Sequence, residues 1–152
     1  MSDSASNGPE PGGSTDSGPS KGGLSERYRR GVERRDRMVG GAGTRRRRMM
    51  KALHPDLERY LLEHAWGDVA SRPGLDERSR ELVTLGILLA LGRDREATTH
   101  FQAALNIGVT RDELAELLIH TSVYAGFPAM VTGAHLLADI LEERGELTIP
   151  DE

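Results

Sequence analysis

Two stretches of this 152-residue chain place an acid and a histidine one helical turn apart. The first is "REATTHFQAALNIG", Arg95 to Gly108, which holds Glu96 and His100. The second holds Glu116, His120 and Tyr124, again at i, i+4 spacing. Residues four apart lie on one face of a helix. A carboxylate so placed holds an imidazole in position, and the pair becomes a proton donor or acceptor usable near neutral pH. Arg80 and Glu81 enter a third, strongly apolar segment, "RELVTLGILLALG". Acids, bases and hydrogen-bonding groups therefore have the means to converge inside a helical bundle. The same spacing also describes a solvated helix pair worth a few tenths of a kcal/mol. Likewise, His54, His64 and His135 read as terminus, surface or core residues, Tyr124 beside Gly126 as a packing residue, and Arg72-Pro73-Gly74 as a turn.

Metal chemistry is a rival use of Glu and His on facing helices. Di-metal carboxylate bundles use Glu-x-x-His, i to i+3, with further inward glutamates. Both pairs here are i to i+4 and the extra glutamates are lacking, so no metal is expected. Cysteine is absent, which removes disulfides, thiolate ligands and thiol redox chemistry. No strand precedes a glycine-rich phosphate loop, and no Ser/His/Asp triad is assignable.

The elements that must position these groups read as helices throughout, without a convincing period-2 run. The first 23 residues, "MSDSASNGPEPGGSTDSGPSKGG", are too polar and glycine-rich to bury a core, and are expected to form a disordered tail. Residues 24–152 are expected to form one domain. The first helix is expected from about Leu24 to Val39, capped by Ser25 and ended by the glycines at 40, 41 and 43. A second follows Pro55 and runs to about Ala70, before the turn at 71–74. A third starts near Asp76, with Leu82, Leu85 and Leu89 on one face and Val83, Ile87 and Ala90 beside them, so it is expected at the centre. The fourth is the Glu96–His100 segment. The fifth opens on the capping-box pattern Thr110-Arg111-Asp112-Glu113 and ends near Tyr124. The sixth runs from Ala129 to Glu143. The expected architecture is all-α, a six-helix antiparallel bundle.

Charge is unevenly spread. Residues 24–51 carry 11 Lys/Arg against 3 Asp/Glu, and residues 52–152 carry 8 against 18. The basic arm and acidic body suit docking within the chain or between subunits. The Arg45–Arg48 run lacks aromatic interleaving or any nucleic-acid motif, so no nucleic-acid partner is expected. No apolar run of 18 residues and no export signal are seen, so no membrane partner and a cytoplasmic location are expected.

The stretches "RYRRGVERRDRMVGGA", "HAWGDVASRPGLDERSRELVTLGILLALGRDREATTHFQAALNIGVTRDELAELL" and "VYAGFPA" resemble the carboxymuconolactone decarboxylase family, and within it the small γ-carboxymuconolactone decarboxylases of protocatechuate breakdown. The resemblance covers roughly residues 25 to 141. It implies an all-α fold, assembly into trimers or hexamers, active sites in helical clefts at or near subunit contacts, and neither metal nor organic cofactor. It singles out His100, with Glu96 before it and Asn106 after it, as catalytic-helix positions. In the alkylhydroperoxidase D-like branch a Cys pair precedes this histidine, at positions held here by Arg93 and Glu96, and the proton-relay glutamate of that branch aligns with Glu81. The chain departs from the decarboxylase pattern at Gly41 and Gly43, where relatives carry Asp and His, at Val131, where Asn is often found, and at Ala125.

The implied activity is decarboxylation of 4-carboxymuconolactone to the β-ketoadipate enol-lactone. Alternatives are a related small lactone or oxo-acid as substrate, or a non-catalytic helical oligomer. For the lyase, Arg80 and Arg72 are candidates to hold an anionic side chain. His120, Tyr124 or Asn106 are candidates to donate to the lactone oxygen. His100, oriented by Glu96, is the candidate proton donor to carbon, with Glu81 next in rank.

Overall fold

Gly40 sets the shape of the first helical element. The computed structural model describes residues 24–150, and the expected tail at 1–23 lies outside them. Helix α1 (Glu26–Leu53) starts at Ser25, whose hydroxyl accepts the Tyr28 N–H, and breaks at Gly40, with φ 65° and ψ −151°. That conformation suits glycine alone. In a straight helix residues 36 and 47 would stand about 16 Å apart along the axis. Instead Arg47 is within 3.2 Å of Asp36, and Arg35 Nη1 donates to the Gly43 carbonyl at 2.7 Å. The two halves of α1 thus fold back on each other. The glycines end the first helical run as the sequence suggested, but the basic stretch beyond them forms a second run that the pattern did not announce.

The single helix expected from Pro55 to Ala70 divides in two. Helix α2 (Pro55–Tyr60) begins at His54, whose Nδ1 accepts the Asp56 N–H at 3.2 Å. A π-helical segment (Leu61–Val69) continues it, and Ala70 N–H bonds the Ala65 carbonyl at 2.9 Å, one residue beyond α-helical spacing. Helices α3 (Glu77–Ala90), α4 (Asp94–Asn106), α5 (Arg111–Ala125) and α6 (Phe127–Glu143) follow. Asp76 caps α3 through the Ser79 N–H, and Thr110 with Glu113 completes the capping box on α5. Helix α6 opens two residues earlier than expected, from Gly126 at φ 86°, with Pro128 in the first turn where its missing N–H costs nothing. Among the described residues the fold is all-helical with seven helical elements rather than six, because the α-to-π change splits the second helix. None of these helices is long and apolar enough to cross a membrane.

The main core joins Leu85 and Leu89 of α3, Ala97, Phe101 and Ala104 of α4, Leu114 and Leu118 of α5, and Leu137, Ile140 and Leu141 of α6. Helix α3 is not buried all round, as its composition suggested. Val83 and Ile87 are 54% and 53% exposed, on a face no other described element covers. A smaller cluster of Met38, Val39, Trp66 and Ala103 fixes α1 to the π-helical segment and α4.

Helix α1 and the π-helical segment meet backbone to backbone through glycine. A Cβ on Gly31 would overlap the Leu62 carbonyl, and one on Gly67 would overlap the Arg27 carbonyl. Rigid backbone cannot yield as a flexible side chain does, so overpacking here is costly. Gly31→Ala is expected to lower stability by about 1–3 kcal/mol or more, read as an earlier midpoint in urea unfolding, whereas Gly74→Ala, with open space around it, is expected to leave the midpoint nearly unchanged.

Candidate active site

Helices α3 and α4 pack side by side, and this contact brings His100 to Glu81. Nδ1 of His100 lies 2.7 Å from Oε2 of Glu81. The Glu81 side chain is 6% exposed and the His100 side chain 22%. An ionised carboxylate only accepts hydrogen bonds, so the proton in this contact sits on Nδ1 of the ring. Nε2 has no protein partner among the described residues and is the ring atom left free to face a substrate.

The carboxylate partner of His100 is therefore Glu81 and not Glu96. Glu96 lies in the exposed first turn of α4, next to the buried Ala97, and makes no hydrogen bond or ion pair to the imidazole. The i, i+4 spacing places both residues on one side of the helix, but the buried carboxylate on α3 has the stronger claim. A buried acceptor without a partner costs about 1–3 kcal/mol, and more when charged. An exposed one is served by water.

His100 and Glu81 form one wall of a cavity of about 410 Å³. The opposite wall comes from the π-helical segment, which contributes Leu61, Ala65, Trp66 and Val69, with Ala70 just beyond. An i→i+5 hydrogen-bond pattern widens the turn past four residues. Residues 61, 65, 66, 69 and 70 thereby fall on the same side, where an α-helix would rotate some of them away. Leu75, Val83 and Thr84 complete the lining with Arg80, the one cation among these lining residues. Arg80 Nη2 donates to the carbonyls of Arg72 at 3.0 Å and Leu75 at 3.2 Å. Its Nε is buried without a partner among the described residues. The turn at 72–75 thus pins the guanidinium at the cavity and leaves donors unspent. Most of the lining around Arg80 is aliphatic, so a charge–charge contact with its guanidinium is less screened here than at an open surface.

The remaining sequence candidates lie elsewhere. Arg72 contributes its carbonyl to the site and turns its side chain to solvent. Asn106 is used at both ends of its amide. Nδ2 donates to the Met38 carbonyl at 2.8 Å, and Oδ1 accepts from Arg144 Nη1 at 3.1 Å. It ties the end of α4 to α1 and to the end of α6, and it is not among the residues that line the His100 cavity. His120 and Tyr124 pair with each other on the exposed face of α5, ring centroids 5.1 Å apart. His120 and Glu116 line a separate groove of about 510 Å³ between α3 and α5. Val83 borders both spaces, but α3 stands between His120 and His100. Tyr124 is 81% exposed. Among the described residues no three His, Asp or Glu gather as a metal donor set.

The glycines at 41 and 43 have a local explanation at one position. Gly43 is buried against Arg35, itself 2% exposed, and a Cβ at 43 would come within 2.7 Å of Arg35 Nη1. Burial pushes the Arg35 pKa below the usual guanidinium value. Any larger side chain at 43 competes with this guanidinium for the same space. Gly41 is exposed, with open space where its Cβ would be.

Sequence reasoning from spacing missed two site features, the π-helical wall and the ring of Trp66 beside His100. Leu61, Ala65 and Val69 recur at a period of four, which fits an α-helix as well, so the spacing carried no signal for the π-helical winding.

Comparison with known proteins bears on what such a site does. The model of the family described as "Carboxymuconolactone decarboxylase family" matches residues 55–139. That span holds the whole cavity lining. The chain is 40% identical over 121 residues to a 4-carboxymuconolactone decarboxylase of Acinetobacter baylyi, covering 79% of this chain and 90% of that one. It is 36% identical over 98 residues to a nitrosuccinic acid decarboxylase of Metarhizium robertsii, covering 62% of this chain and 68% of that protein. With the helical fold and the His100–Glu81 cavity inside the matched region, the chain belongs to the carboxymuconolactone decarboxylase family.

Proposed function

We propose that this carboxy-lyase removes CO₂ from 4-carboxymuconolactone, giving the enol-lactone of β-ketoadipate in protocatechuate catabolism. The observation that carries the reading is His100 held by the buried Glu81 in a mostly apolar cavity that contains a single guanidinium. The 40% identity to a protein of that activity supports the substrate.

The chemistry fits these residues. In the lactone, the departing carboxylate sits on the sp³ ring carbon, vinylogous to the lactone carbonyl. As the C–CO₂ bond breaks, its electron pair moves through the ring double bond onto the lactone oxygen and forms a 2-oxyfuran-like dienolate. The substrate is its own electron sink, so the step calls for no cofactor. Arg80 holds the retained acetate carboxylate. The aliphatic wall strips water from the departing one. His100, charged and held at Nδ1 by Glu81, then delivers the Nε2 proton to the ring carbon next to the lactone carbonyl. Solvent restores the proton to His100, and the balance closes with CO₂ and the enol-lactone as products.

The same site serves any carbon acid whose carboxylate leaves next to an electron sink and which keeps a second carboxylate for Arg80. Nitrosuccinic acid has that pattern, and a relative is named for it. It is therefore the second substrate to assay. The chain is also read as a homo-oligomer, a trimer or hexamer. Val83, Ile87, Ile119, Val123, Tyr124 and Phe127 are exposed apolar side chains on α3, α5 and the start of α6, and such a concentration supports a covered surface.

Three outcomes are expected. The purified protein releases CO₂ from 4-carboxymuconolactone, and His100→Ala or Glu81→Gln loses about 10²-fold or more in kcat, while Glu96→Gln stays near wild type. A fully active His100→Ala variant would contradict the assignment. Dialysis against a chelator leaves turnover unchanged, and loss restored by one metal would contradict the cofactor-free reading. Sedimentation at micromolar protein gives a trimer or hexamer, and a monomer would contradict the oligomer.

A further inference from the structure

Glu81 fixes only one of the two directions that aim the His100 imidazole. A hydrogen bond at Nδ1 constrains mainly one distance, whereas two torsions, χ1 and χ2, set the ring, so a coupled change of the two keeps the contact and pivots the ring. Nε2 sits across the ring, so a pivot changes where its proton points. A second ring stands beside the imidazole. The indole of Trp66 lies parallel to the imidazole, with an interplanar angle of 2° and ring centroids 6.2 Å apart.

Trp66 is held firmly enough to act as a reference plane. It is 8% exposed and packs with Met38, Val39 and Ala103 on the side of the smaller core. Its carbonyl accepts the Ser71 hydroxyl at 2.9 Å. Its neighbour Gly67 presses on α1, and the Gly67 carbonyl accepts from Arg30 Nε at 2.8 Å. The π-helical winding brings this residue to the cavity wall beside Ala65. The indole is thus anchored from behind and presents a flat face at the cavity.

We propose that Trp66 is a positioning residue that fixes the plane of the His100 ring, and through it the face of the substrate carbon that receives the Nε2 proton. The proposal rests on His100 being the proton donor. Trp66 need not touch the substrate for this, because it acts through the imidazole. A misdirected donor costs rate without costing ground-state binding, since a displacement of about 1 Å in a reacting group costs on the order of 10²-fold.

The test compares two variants in D₂O with 4-carboxymuconolactone. Trp66→Phe keeps a flat ring, and Trp66→Leu keeps apolar bulk without a plane. Trp66→Phe is expected to retain kcat within about threefold and to place deuterium on a single face of the product methylene. Trp66→Leu is expected to lose about 10-fold or more in kcat with KM within about twofold of wild type, and to label both faces. Thermal unfolding confirms that both variants are folded at the assay temperature. A Trp66→Leu enzyme with wild-type kcat and single-face labelling would overturn the proposal. Crystal structures of the two variants read the imidazole plane directly, independently of turnover. A His100 plane unchanged in Trp66→Leu overturns the proposal, and a tilted or doubly placed ring there supports it. A wild-type protein inert towards the lactone would instead count against the proposed substrate, and the crystallographic comparison would still decide the role of Trp66.

Discussion

The contact between Glu81 and His100 is the constraint around which the cavity is arranged. Glu81 is a carboxylate taken out of water on the inner side of α3, one turn before the buried Leu85. In that position it needs a donor, because desolvating an unpaired charge costs more than a helix contact returns. The donor comes from α4 and lies 19 residues further along the chain, so the hydrogen bond exists only when α3 and α4 are docked. The Glu81–His100 pair and the packing that holds the two helices together therefore form as one event.

Opposite this pair, the chain uses an unusual winding to build a wall. The π-helical segment sets Leu61, Ala65, Trp66 and Val69 along the cavity, whereas an α-helix of the same sequence would keep Leu61, Ala65 and Val69 on one face and turn Trp66 away. Such a winding is less favourable than an α-helix and persists where surrounding contacts fix it. Gly31 and Gly67 let α1 approach the segment closely, and the smaller core locks Trp66 against Met38 and Val39. Arg80 completes the site from the rim, held by the carbonyls of the 72–75 turn. The resulting space is aliphatic on one side, with an imidazole and a guanidinium on the other.

Much of the fold was legible in the sequence because helix signals are local. Ser25 and the Thr110–Glu113 box cap helices as their types and spacing suggested, α3 starts beside Asp76 as expected, and Gly40 ends the first helical run. The α-to-π change after Tyr60 was not legible, since it is fixed by packing against α1 rather than by local propensity. Within the site, the histidine on α4 was readable from residue type and from the family pattern, whereas its partner was not readable from spacing. The i, i+4 rule compares only residues on one helix, and it favoured the exposed Glu96 over the buried Glu81. Asn106 and His120 looked like site residues for the same reason, that sequence shows chemical type but not which side of a neighbouring helix a group faces. The structure instead gives the Asn106 amide to Met38 and Arg144, and turns His120 towards the α3–α5 groove.

The most direct measurement of the central claim is the tautomer of His100, read from the ¹⁵N shifts of its two ring nitrogens in the wild-type protein and in Glu81→Gln. A neutral ring that carries its proton on Nδ1, leaves Nε2 to titrate, and changes when Glu81 is replaced, is the predicted result. A neutral ring protonated on Nε2, with shifts indifferent to the Glu81 substitution, would contradict the account.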